Sequence, residues 1–101
     1  MNKYGNRRTE IDGITFASKR EADRYCELKL LEKAGVIRQL ELQPRIPLIV
    51  KKMKVATYVA DFAYSENGLG VVEDAKGLAT PIYKLKKKLM MALYGIEIRE
   101  V

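Results

Sequence analysis

The chain reads as a single α/β domain built around a mixed sheet, and three observations carry that reading. Two segments keep a helical period between a capping residue and a glycine. The apolar, β-branched runs between and after them have the length of strands and are separated by turn residues. A chain of 101 residues has material for one core of a few strands and a couple of helices, not for two cores.

Taken in order, "IDGITF" alternates around an Asp-Gly turn and predicts a short strand or hairpin leading into the first helix. "SKREADRYCELKLLEKAG" predicts a helix over 18–34: Ser18 is an N-cap, Glu21 stands three residues on as in a capping box, and Gly35 closes the end. Ile37, Leu40 and Leu42 suggest a strand that stops at Pro44, and 46–50 a second extended run in which Pro47 marks an edge or bulge. Residues 55–64 are β-branched, aromatic or small and read as one strand, "SENGLG" as the turn, and 71–75 as its antiparallel partner. Thr80 and Pro81 start a second helix with Ile82, Leu85, Leu89 and Leu93 as its apolar stripe, and Gly95 ends it. "IEIREV" closes as an alternating strand with Ile96 and Ile98 on one face. The order is helix, strands, helix, strand, without internal repeat or linker.

Composition narrows the function. Hydrophobic residues make up 48% and charged residues 32%, the balance of a folded globular domain. No apolar run approaches the roughly 20 residues that cross a bilayer, and "MNKYGNRRTE" has no signal-peptide core, so no membrane and a cytoplasmic location are expected. Cys26, the single cysteine, permits no internal disulfide and is expected to be a buried, reduced thiol. The absence of histidine removes Ser-His-Asp and Cys-His nucleophile systems and the usual zinc sites. Chemistry is left to carboxylates, lysines and hydroxyls. With 19 Lys and Arg against 13 Asp and Glu, the net charge of +6 favours a polyanionic partner, nucleic acid first. The positive charge collects at Lys3, Arg7 and Arg8, at Lys51, Lys52 and Lys54, and at Lys84, Lys86, Lys87 and Lys88. Arg7, Arg8, Lys51, Lys52, Lys84, Lys87 and Lys88 are the candidate DNA contacts.

Strand alternation sorts the acids. Val72, Asp74 and Lys76 share one face of their strand, and Val71, Glu73 and Ala75 the other. Hairpin pairing brings Asp61 toward Asp74, so two carboxylates and an ammonium converge while Glu73 points away. Carboxylates forced together need a cation, and oxygen donors in small number suit Mg²⁺ or Mn²⁺. Such an ion activates water and offsets charge on a phosphodiester, chemistry that needs no histidine. Glu21 has two readings: on the stripe of Tyr25 and Leu28 it points toward the sheet, and as a capping-box residue it bonds back to Ser18. Lys86 either runs along the core edge or faces the site. For Asp61, Asp74 and Lys76 the competing reading is surface carboxylates with a salt-bridge lysine.

"ADF" followed after a turn by "VVEDAKG" resembles the signature of the PD-(D/E)XK nuclease superfamily. "NKYGNRRTEIDGITFASKREADRYCELKLLEKAGVI" with "LELQPRIPL" is similar to small phage-encoded endonucleases related to Holliday-junction resolvases. The resemblance covers nearly the whole chain. It implies a restriction-endonuclease-like core, a mixed β-sheet flanked by two helices in the order αβββαβ. It also implies Asp61 and Asp74 as metal ligands, Lys76 as the signature lysine, and Glu21 as the first-helix acid of the metal site, with Gln43 and Lys86 as lesser candidates. Ala60 stands where the signature has proline, a position that varies among such enzymes. The implied activity is Mg²⁺-dependent endonucleolytic cleavage of DNA, with Mn²⁺ able to substitute, on Holliday junctions or other branched DNA. A homodimer is implied because cutting both strands of a junction needs two sites, and the location is then the host cytoplasm. The rival readings are a non-catalytic nucleic-acid-binding module and a basic RNA-bound structural protein.

Overall fold

The computed structural model describes residues 8–75 and 80–101. Strands β1 (Thr9–Ile11) and β2 (Ile14–Phe16) form a hairpin, followed by α1 (Lys19–Lys33). Next come β3 (Ile37–Leu42), β4 (Arg45–Val50), β5 (Met53–Val59), β6 (Phe62–Glu66) and β7 (Leu69–Asp74), then α2 (Pro81–Tyr94) and β8 (Ile98–Glu100). The central sheet has the order β3-β6-β7-β8, antiparallel except for the parallel pair β7–β8 that α2 connects. Along the chain its elements run α1, β3, β6, β7, α2, β8, the predicted αβββαβ order with a β4–β5 hairpin inserted.

Local chemistry accounts for the ends of these elements. Ser18 Oγ accepts the Glu21 N–H at 3.2 Å, and Thr80 Oγ1 the Tyr83 N–H at 3.1 Å, each capping a helix start. At the end of α1 the Gly35 N–H donates to Glu32 O and the Val36 N–H to Leu31 O, the paired bonds of a Schellman motif, with Gly35 at φ +80°. All three hairpins close through two residues of positive φ, the geometry of type I′ turns: Asp12-Gly13, Lys51-Lys52 and Asn67-Gly68. Asp-Gly and Asn-Gly are the expected pairs; Lys-Lys adopts the same backbone at the cost of side-chain crowding that glycine avoids.

The run 55–64 is not one strand. Register continues from Arg45↔Val59 to Leu42↔Phe62, so β3–β4 and β5–β6 form one long hairpin bent sharply at Gln43-Pro44 and Ala60-Asp61. Pro44 has no N–H for the ladder, and Gln43 takes φ +48°. The Gln43 N–H to Asp61 O bond (2.9 Å) and the Ala60 N–H to Pro44 O bond (3.2 Å) hold the register through the bend. Asp61 therefore sits at a bend, not inside a strand.

The sheet carries a core on each face. Toward α1 lie Phe16, Ala22, Tyr25, Leu28, Ile37, Phe62 and Tyr64. Toward α2 and the β4–β5 hairpin lie Leu48, Tyr58, Ala60, Val72, Tyr83, Met90 and Ile98. Of the apolar stripe expected for α2, Leu89 and Leu93 pack half-buried against the core, whereas Ile82 and Leu85 are exposed and Tyr83 and Met90 are buried in their stead. The helix rolls to place the tyrosine ring against the sheet because its larger area outweighs that of Ile82. Cys26 also departs from expectation: it follows buried Tyr25 by one step around α1 and lies exposed. Among the described residues no helix is long and apolar enough to cross a membrane.

Candidate active site

β7 ends in two consecutive, fully buried acids whose side chains leave opposite faces of the sheet. Glu73 faces α1, as alternation predicts. There one edge of the Arg24 guanidinium grips it, Nε to Oε1 at 2.6 Å and NH2 to Oε2 at 2.9 Å, and the Tyr64 hydroxyl donates to Oε2 at 2.5 Å. The hydrogen bond to Glu73 holds the Arg24 pKa above its ordinary value, against the opposing effect of burial. Burial and then the Glu73 bond raise the Tyr64 phenol. Glu73 is thus a neutralised structural acid.

Asp74 faces the other way. The register that pairs Phe62 with Glu73 sets Asp61 opposite it, one step past the ladder. The Asp61 N–H, shared with Glu73 O at 3.2 Å, donates to Asp74 Oδ1 at 2.9 Å, and the Ala75 N–H donates to Asp61 Oδ2 at 2.7 Å. Each carboxyl group is thereby fastened to backbone at or beside the other at the end of the sheet. The Tyr58 hydroxyl of β5 donates to Asp74 Oδ2.

Tyr83 of α2 completes this wall. Its ring lies 6.4 Å from that of Tyr58, and its hydroxyl donates to Glu100 Oε2 at 2.6 Å. Burial is the largest cause raising its pKa, followed by the Glu100 bond and charge and then by Asp74 and Asp61. The phenol thus senses three carboxylates. Glu100 in turn is held below the ordinary carboxyl range, first by the Tyr83 hydroxyl and also by Lys87 at 3.4 Å.

The remaining candidates divide. Glu21 is half-buried in the first turn of α1, with its N–H on Ser18. Gln43 reaches Asp61 through its backbone, and its side chain is exposed. Lys86 donates from Nζ to Thr57 O at 2.9 Å, which ties α2 to β5. Lys51 and Lys52 form the exposed turn of the β4–β5 hairpin, and Lys84 and Lys88 are exposed on α2. Arg8 is exposed just before β1. Lys76 and Arg7 lie outside the described residues. Tyr58, Tyr83, Arg24 and Glu100 were not legible as site neighbours; the Tyr83/Met90 spacing of seven was the signal for the buried face of α2.

Among the described residues no three His, Cys, Asp or Glu side chains converge as a metal-holding group. Asp61 and Asp74 make a two-carboxylate donor set, which fits Mg²⁺, an ion held by one or two carboxylates with water and substrate phosphate completing its shell.

Fold and site together define a mixed α/β domain with two helices and a carboxylate pair at the end of its central sheet. The family described as "Protein of unknown function (DUF1064)" matches residues 1–100, and the chain belongs to that family. No curated protein and no solved structure gives a significant match.

Proposed function

We propose that this protein is a Mg²⁺-dependent DNA endonuclease with a PD-(D/E)XK-type core, acting on Holliday junctions or other branched DNA as a homodimer, with Mn²⁺ able to substitute. The observation that carries the reading is the Asp61–Asp74 pair, fastened by the Asp61 and Ala75 amides at the end of a sheet whose elements run αβββαβ. The D-x-K spacing of Asp74 and Lys76 and the net charge of +6 support it.

Asp61 and Asp74 would hold the ion, which when bound acidifies water and offsets phosphate charge. The Tyr58 hydroxyl and the Asp61 amide orient the Asp74 carboxylate. Lys76 is assigned the attacking water. Glu73, neutralised by Arg24, fixes the end of β7 and takes no part in the chemistry.

The test is cleavage of a labelled four-way junction, its component duplexes and single strands in Mg²⁺ or Mn²⁺. Wild-type protein cuts the junction, and Asp74→Asn or Lys76→Ala lowers the rate at least about 100-fold while DNA binding persists. Absence of cleavage on every substrate with either ion overturns the reading and leaves a nucleic-acid-binding module.

A further inference from the structure

The tertiary structure sorts charge by layer. From Arg8 to Glu41, covering β1, β2, α1 and β3, seven basic residues meet seven acidic ones. Several are paired on the surface of α1: Lys19 with Asp23, Arg24 with Glu27, Lys29 with Glu32. On the other face, the β4–β5 hairpin and α2 contain no acidic residue, since none occurs between Glu41 and Asp61 or between Asp74 and Glu97. These two elements are far apart in sequence but share one core, and Lys86 to Thr57 O and Tyr94 to Pro47 O bind them side by side. Of their cations, Lys86 is engaged by Thr57 and Lys87 by Glu100. Arg45, Lys51, Lys52, Lys54, Lys84 and Lys88 are exposed and form no ion pair with any described residue.

We infer that the β4–β5 hairpin and α2 together form the docking face for the phosphate backbone of DNA, and that the α1 face takes no part. Charge complementarity identifies a polyanion, because these six cations on an acid-free layer repel one another until anions replace their counterions. Position identifies nucleic acid over an anionic lipid surface. A groove of about 350 Å³ between β5 and α2 is lined by Tyr58, Val59, Ile82, Tyr83 and Lys86 among others, and the hydroxyl of this Tyr58 donates to Asp74. A phosphate backbone drawn to the layer is delivered beside the carboxylate pair. Lys54 and Arg45 join the contacts read from sequence, and Arg8, on the charge-balanced face, leaves them.

This face deepens the nuclease reading, but its test uses binding alone. Anisotropy of a labelled DNA duplex is measured against salt without divalent cation. One variant combines Lys51→Asn, Lys52→Gly, Lys84→Gln and Lys88→Gln. Its control removes the same charge from α1 through Lys19→Gln, Arg20→Gln, Lys29→Gln and Lys33→Gln. The layer variant is expected to weaken binding at least 10-fold and to flatten the slope of log K against log salt by up to about 3.6, at roughly 0.9 for each of four phosphates no longer neutralised. The control stays within about 3-fold of wild type. Equal losses from both variants overturn the inference, as does competition by anionic vesicles that the layer variant abolishes while its DNA binding is unchanged. Cleavage by wild type together with unaltered binding by the layer variant sinks the inference and spares the nuclease reading. Layer-dependent binding without cleavage does the reverse.

Discussion

Glu73 and Asp74 show how much one step along a strand decides. Both are fully buried, yet one meets a guanidinium and the other the Asp61 amide and the Tyr58 hydroxyl. Truncating Arg24 leaves the Glu73 charge buried without its partner, and Arg24→Met is expected to cost about 3 kcal/mol in urea unfolding. Adding Glu73→Gln to it should recover much of that loss, because removing a buried pair whole destabilises less than breaking it. A double variant no more stable than the single one would contradict the pairing. Alternation in "VVEDAK" had separated these two acids from sequence; Arg24, 49 residues away, was beyond its reach.

The elements owe their boundaries to a few residues. The Lys51-Lys52 turn holds two non-glycine residues at positive φ, +49° and +68°. Lys51→Asn with Lys52→Gly supplies the preferred type I′ pair and should raise stability by about 0.5 kcal/mol, read as a shift in urea midpoint. Thr80→Ala removes the N-cap of α2 and should cost about 1 kcal/mol in the same measurement. Both helices and the Asp-Gly and Asn-Gly hairpins were readable because caps and turn pairs act within four residues. The bend at Ala60-Asp61 was not, because it is imposed from across the ladder by Pro44, which cannot donate, and by Gln43 at positive φ.

For the whole molecule, the absence of histidine predicts stability nearly constant between about pH 6 and 8. Tyr25, Tyr64 and Tyr83 all have phenols raised above their ordinary value of 10.0, burial being the first cause in each. A group raised on folding stabilises fully below its unfolded pKa and loses that contribution as pH climbs through the folded one. Melting temperature should therefore fall from about pH 10 upward, in step with tyrosinate absorbance. Glu32 and Glu100, both lowered, act in the opposite sense. For Glu32 the leading cause is the Leu40 N–H, which donates to its carboxylate at 3.0 Å beside the β3 bulge. Its contribution is present above the unfolded carboxyl pKa and lost as pH falls through the folded one, so Glu32→Gln should flatten the acid limb of the melting curve. If the protein is the nuclease proposed above, Mg²⁺ should raise the melting temperature of wild type but not of Asp74→Asn, since an ion bound only by the folded state stabilises it by mass action.

By itself the sequence determined the helix ends, the alternation that puts Asp74 opposite Glu73, the turn chemistry of two hairpins and the excess of positive charge. These follow from local rules of capping, period and composition. Tertiary structure alone decided the bend that places Asp61 beside Asp74, the roll of α2 that buries Tyr83 and leaves Ile82 in water, and the exposure of Cys26. It also gathered two separate basic runs into one acid-free layer. Each of those outcomes depends on what packs against a residue from distant parts of the chain, and no local rule carries that information.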